Sequence, residues 1–147
     1  MANSNITTTL GADAILLATI DMPARSMNVF STELMNSLEQ LLYEVASRPD
    51  VRGVVITSGK KAFLAGADLE MVRGYTERAQ HASDDELHRT CGRLSRLFRR
   101  LETTDKPFVA AIGGLALGGG LELAMAGHYR VAVPDARMGQ PDRKSVV

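Results

Sequence analysis

The stretch AAIGGLALGGGLELAMAG, Ala110 to Gly127, sets five glycines within the eight positions 113–120 and then turns into an apolar, helix-like run. Glycines between a strand and a helix let main chain approach a neighbour or a ligand closely, because no Cβ intervenes. They also expose the first N–H groups of the helix, which have no partner inside it, where the helix dipole adds positive potential. Such a loop suits an anion or an oxyanion. The one charged side chain in the stretch is Glu122.

Two familiar phosphate-binding patterns fail on spacing. A dinucleotide fingerprint needs G-x-G-x-x-G, and Gly113 and Gly114 are followed by Leu115 with no register that satisfies all three positions. A P-loop needs Gly-Lys-Ser/Thr at its end, whereas Gly118 is followed by Gly119 and Gly120. No G-x-S-x-G elbow occurs, which removes the usual serine-hydrolase pattern. Close helix–strand packing and an oxyanion site both remain open. In the second case, two backbone donors from separate loops would hold a carbonyl oxygen as it becomes an enolate. FLAGADL, Phe63 to Leu69, is a second small-residue turn at a strand end that offers the other donor.

Outward from the loop, KPFVAAIGG reads as the strand before it and YRVAV as the strand after it. Asp84 to Glu102 reads as a long helix with Leu87, Cys91, Leu94, Leu97, Phe98 and Leu101 as its apolar stripe. VRGVVITSG is a nearly continuous apolar strand of the kind buried on both faces. FSTELMNSLEQLLYEVASR carries apolar residues at helical spacing, with Ser31 as N-cap and Pro49 as stop signal. ITTTL and AILLATI, joined through Gly11-Ala12-Asp13, read as a hairpin. Strands alternating with helices predict an α/β fold with parallel pairing. No repeat of fixed period and no low-complexity tract is visible.

The chain has 147 residues, 45% of them apolar and 23% charged, which suits one soluble globular domain or part of a larger one. Lys plus Arg equals Asp plus Glu at 17 each, so overall charge makes no case for nucleic acid or an anionic membrane. The single cysteine, Cys91, rules out an intrachain disulfide and fits a reducing compartment. The N-terminus lacks the basic and apolar regions of a secretory signal, and no apolar run spans a membrane, so the expectation is a cytoplasmic protein. His81 and His88 could share a helix face but have no third ligand, so no metal site is expected. Arg89, Arg93, Arg96, Arg99 and Arg100 read as a solvated face, and Cys91 as core.

AFLAGADLEM, KPFVAAIGGLALGGGLELAMAGHYRVA and ARMGQP, in that order, resemble the enoyl-CoA hydratase/isomerase (crotonase) family from about Ala14 to Pro141. Within it, GGGLELAMAGHYRVA is most similar to β-oxidation hydratases, including the hydratase part of multifunctional fatty-acid oxidation proteins. The resemblance implies a spiral of repeated β-β-α units, here incomplete, with residues 1–141 forming the N-terminal part of the domain. It implies that the backbone N–H groups of Ala67 and Gly119 form an oxyanion hole for the thioester oxygen. Ala65, Gly66, Asp68, Leu69 and Gly118 would line the substrate site, and Arg25 would meet the CoA end.

Glu122 matches the first of the family's two catalytic glutamates, although an acidic residue near a helix N-terminus is favourable on its own account, by about 0.3–1 kcal/mol. The second carboxylate should follow Gly-Gln-Pro, where Asp142 stands in place of the family's Glu. DRKSVV back-translates to a run like common sequencing-adapter sequence, so residues 142–147 read as a non-native tail. The reaction implied is reversible hydration of trans-2-enoyl-CoA to 3-hydroxyacyl-CoA, with CoA as part of the substrate and no separate cofactor. Double-bond isomerisation and an inactive acyl-CoA-binding fragment are the alternatives. Full-length members form homotrimers, often paired as hexamers, an assembly not expected of so short a chain.

Overall fold

In the computed structural model, residues 5–140 are described, and Asp142 with the rest of 141–147 lies outside them. The described chain runs β1 (Ile6–Leu10), β2 (Ile15–Ile20), α1 (Thr32–Ser47), β3 (Gly53–Ser58), β4 (Leu64–Ala65), α2 (Leu69–Ala79), α3 (Asp84–Glu102), β5 (Phe108–Ile112), β6 (Ala116–Leu117), α4 (Gly119–Ala126), β7 (Tyr129–Ala132) and β8 (Met138–Gly139). The strands form a larger sheet in the order β1-β2-β3-β5-β7 and a smaller one in the order β4-β6-β8. Three times in succession a strand enters the larger sheet and the next enters the smaller one, with α2 and α3 after the first pair and α4 after the second. This is the repeated β-β-α progression.

β1 and β2 make the expected antiparallel hairpin, with Leu10 opposite Leu16. Its turn closes through Gly11 N–H to Ile15 O at 2.9 Å and Ala14 N–H to Gly11 O at 3.0 Å. Every later pairing in both sheets is parallel. Alternate residues turn inward, as the period of a strand requires: Leu16, Ala18 and Ile20, then Val54 and Ile56, then Phe108, Ala110 and Ile112. They share one core with Leu34, Met35, Leu38, Leu41, Leu42 and Val45 of α1.

The α1 boundaries follow local chemistry. Ser31 Oγ accepts the Leu34 N–H at 3.2 Å, satisfying one orphan donor of the first turn. At the other end Lys106 Nζ donates to Val45 O at 2.6 Å and to Arg48 O, taking up terminal carbonyls just before Pro49. α3 starts at Asp84 because Ser83 and Glu86 form a reciprocal capping box.

Two expectations are corrected. β3 is not buried on both faces: Val54 and Ile56 are buried, but Val55 and Thr57 are half-buried, because the helices cover only one side of the larger sheet among the described residues. Cys91 is exposed rather than core. Only Leu97 and Leu101 of α3 are buried, since the N-terminal half of that helix lies beyond the core beside α2, which buries no residue.

Candidate active site

β4 and β6 pair in parallel with Leu64 opposite Ala116 and Ala65 opposite Leu117, so the next step sets Gly66 beside Gly118. Both have positive φ, +99° and +49°. A Cβ added to Gly118 would lie 3.8 Å from Gly66 Cα, so the two backbone reversals are in direct contact. A side chain at either would be strained even though the space is open.

Each reversal sets the next amide. The Gly66 carbonyl accepts the Phe30 N–H at 2.7 Å. No peptide in the described chain is cis, and in a trans peptide C=O and N–H point opposite ways. The Ala67 N–H is therefore turned away from Phe30. The Asp68 N–H returns to Phe30 O at 2.9 Å, which pins the turn from its other side. Likewise the Gly118 carbonyl accepts the Glu122 N–H at 2.9 Å within α4 and the Gln140 Nε2 at 3.3 Å. The Gly119 N–H consequently points out of the helix N-terminus, where α4 has no side-chain cap.

Phe30 joins the two turns. Its backbone holds Gly66 and Asp68, and its Cβ and Cγ would lie 3.4 Å from a Cβ on Gly119. Fully buried, it also meets Phe98 of α3 edge-on at 5.6 Å. No periodicity in the sequence singles it out. Its neighbour Asn28, with no exposed surface, accepts the Met22 N–H at 2.9 Å and donates to Ile20 O at 2.8 Å and Ser58 Oγ at 2.9 Å.

Glu122 stands three residues after Gly119, on the same face of α4. Helical side chains lean toward the N-terminus, the end of α4 at which the Gly119 amide lies. It is half-buried and has no ion-pair or hydrogen-bond partner for its carboxylate among the described residues.

The other anticipated residues divide. Ala65, Ala67, Asp68, Leu69 and Arg25 line one open cleft of about 630 Å³, together with Met27. Gly66, Gly118, Gly119 and Glu122 do not line it; Gly118 lies against Gly66, and Gly119 against Phe30. Ala65 donates its N–H to Asn28 O at 2.9 Å. Leu69, at the first position of α2, is 82% exposed. Arg25 is paired with Asp68 at 2.6 Å. Nearby, the Ser31 hydroxyl holds the Glu33 carboxyl below the usual range, helped by Glu33's own backbone N–H. His128 is a structural residue: its Nδ1 accepts the Phe108 N–H at 3.1 Å and its backbone N–H donates to Phe108 O at 2.8 Å.

Ordinary packing accounts for other glycines of the loop. A Cβ on Gly120 would fall 2.5 Å from Leu64 O, and one on Gly114 would overlap Lys61 O. The close-packing reading therefore holds at Gly114 and Gly120, while Gly118 and Gly119 are spared such clashes. Among the described residues no cluster of three His, Cys, Asp or Glu side chains is placed to hold a metal, and no helix is long and apolar enough to cross a membrane.

A family model described as enoyl-CoA hydratase/isomerase matches residues 12–145. The fatty acid oxidation complex subunit alpha of Shewanella sp. strain W3-18-1 is 38% identical over 133 residues, covering 88% of this chain and 18% of that protein. The protein of the same name from Idiomarina loihiensis is 39% identical over 135 residues, 90% of this chain and 18% of its own. The crystal structure of enoyl-CoA hydratase from Bacillus anthracis superposes with a TM-score of 0.80 at 25% identity, over 97% of this chain and 53% of that one. That of enoyl-CoA hydratase from Thermoplasma volcanium gives 0.79 at 26% identity, over 99% and 54%. The chain thus spans less than a fifth of these curated relatives and about half of these solved enzymes. Its two glycine turns, its alternation between sheets and the family match agree: the chain belongs to the enoyl-CoA hydratase/isomerase family.

Proposed function

We propose that the chain performs the reversible hydration of a trans-2-enoyl-CoA to the 3-hydroxyacyl-CoA. The observation that carries this is the contact of Gly66 with Gly118, which frees the amides of Ala67 and Gly119 on adjacent turns. Two such donors suit a thioester oxygen. As water adds to C3, the C2=C3 π electrons move toward the carbonyl, negative charge develops on that oxygen, and the N–H groups already directed at it lower the barrier. One donor of this kind contributes about 2.7–4 kcal/mol to transition-state stabilisation.

Glu122 takes the proton from the attacking water as general base, and an acid delivers a proton to C2. Asp142, at the position of the family's second carboxylate, is our candidate for that acid. No electron is gained or lost overall, so the reaction requires no redox cofactor, and CoA enters as part of the substrate. The relatives named fatty acid oxidation complex subunit alpha support a role in fatty acid oxidation, and an acyl-CoA thioester is the substrate of this reading.

Paired assays test this. Crotonyl-CoA should be hydrated, and Glu122→Gln should slow hydration by about 10²–10⁴-fold, the usual contribution of a positioned acid–base group. Turnover of a 3-enoyl-CoA but not of crotonyl-CoA would select double-bond isomerisation, for which one carboxylate suffices. Binding of the thioester with turnover of neither would select an inactive acyl-CoA-binding fragment.

A further inference from the structure

Arg25 and Asp68 lie 43 residues apart, and Arg25 Nη2 meets Asp68 Oδ2 at 2.6 Å. The Asp68 residue is 6% exposed, and both its carboxylate oxygens are engaged: Oδ1 caps α2 by accepting the Glu70 N–H at 2.9 Å, and Oδ2 takes Arg25. Arg25 also stands on a braced loop. Lys60 Nζ donates to Met22 O at 2.7 Å and to Arg25 O, and pairs with Asp21 at 3.2 Å. Asn28 closes the same loop from inside through Met22 and Ser58. A guanidinium launched from so fixed a base fixes the carboxylate it grips, and with it the peptide that links Asp68 to Ala67.

We propose that Arg25 is a positioning residue: through Asp68 it holds the Ala67 amide in the orientation that meets a thioester oxygen, and binding of CoA phosphates is not its main task. This rests on the hydratase function proposed above. Without Arg25 the carboxylate is stranded inside the turn, and a buried charge that loses its partner draws the surrounding chain open to water. The amide one residue away then moves, and displacements of about 1 Å at a reacting group cost about 10²-fold in rate. A phosphate ligand would behave otherwise, since its loss weakens binding without disturbing the carbonyl.

The test uses two thioesters of 4-dimethylaminocinnamic acid, one with CoA and one with pantetheine, which lacks the nucleotide phosphates. Polarisation of the carbonyl shifts the absorption of this push–pull chromophore to the red. Wild-type chain should red-shift both. Arg25→Met should bind both yet lose the red shift at saturation for both, and Arg25→Lys should restore most of it. If Arg25→Met fails to fold, the double variant Arg25→Met/Asp68→Asn, which strands no charge, should fold and lack the shift. A folded methionine or double variant that keeps the full shift, or one that binds neither ester, overturns the proposal. Weakened affinity for the CoA ester alone, with the shift intact, makes Arg25 a phosphate ligand instead. If wild type shifts neither ester, the hydratase function fails and the role of Arg25 falls with it.

Discussion

Gly118 stands directly against Gly66, close enough that a Cβ on the one would touch the Cα of the other at 3.8 Å, and both residues hold positive φ. The contact couples two loops more than fifty residues apart in sequence. Each glycine sends its own carbonyl into a hydrogen bond and so turns the following amide outward.

Alanine at position 66 or 118 therefore meets open space and a disfavoured backbone. Gly66→Ala and Gly118→Ala should each lose about 1–3 kcal/mol of stability in denaturant titration, the usual cost of a non-glycine residue in such a conformation. Hydration of crotonyl-CoA by the folded fraction should fall at least about tenfold, because relief of the strain rotates the amide that follows. Unchanged turnover in both variants would separate the glycine pair from catalysis.

Gly120 and Gly113 make the opposite comparison. A Cβ on Gly120 would fall 2.5 Å from Leu64 O and 2.7 Å from Leu64 Cβ, while one on Gly113 would meet nothing within 4 Å. Gly120→Ala should lower stability by about 1–3 kcal/mol through overpacking. Gly113→Ala should stay within about 0.5 kcal/mol of wild type. Thermal melts of the two variants side by side check this.

Glu33 supplies a pH dependence. Its carboxyl is held below the ordinary range by the Ser31 hydroxyl first and its own backbone N–H second. A folded pKa below the unfolded one gives stability that is complete above the unfolded value and lost as pH falls through the folded one. Glu33→Gln should therefore be less stable than wild type at neutral pH, and the two should converge in acid, below the depressed pKa. Melts across an acid-to-neutral series measure the difference; a gap independent of pH would contradict the assignment.

Much of the fold was legible in the sequence because it is local. Ser31 caps α1 and Gly11 to Ala14 turn the hairpin through contacts spanning a few residues, and the glycine loop announces its strand and helix by composition. The division into two sheets was not legible. β4, β6 and β8 are two residues each, too short to show any alternation. The β-β-α repeat leaves no sequence period because α2 and α3 together fill one unit while the eight-residue α4 fills another.

At the candidate site, Ala67, Gly119 and Glu122 are what the resemblance implies, and the helix N-terminus gives an independent reason only for the glycine loop. Phe30 carries no sequence signal, since its contribution is one of place, between Gly66 and Gly119. The Arg25–Asp68 pair joins a loop to a helix cap, and only the folded chain brings them together. Apolar spacing predicts burial for Cys91 and for both faces of β3 because it shows which face is apolar but not whether anything covers it.

The carbonyl stretch of bound crotonyl-CoA tests the central claim most directly, measured as an isotope-edited infrared difference spectrum with carbon-13 at the thioester carbon. Two amide donors on one oxygen predict a band shifted clearly to lower frequency than in water, and a partial return toward the aqueous position in Gly118→Ala. A bound thioester whose carbonyl band stays at its aqueous frequency in the wild-type chain would contradict the oxyanion site at Ala67 and Gly119.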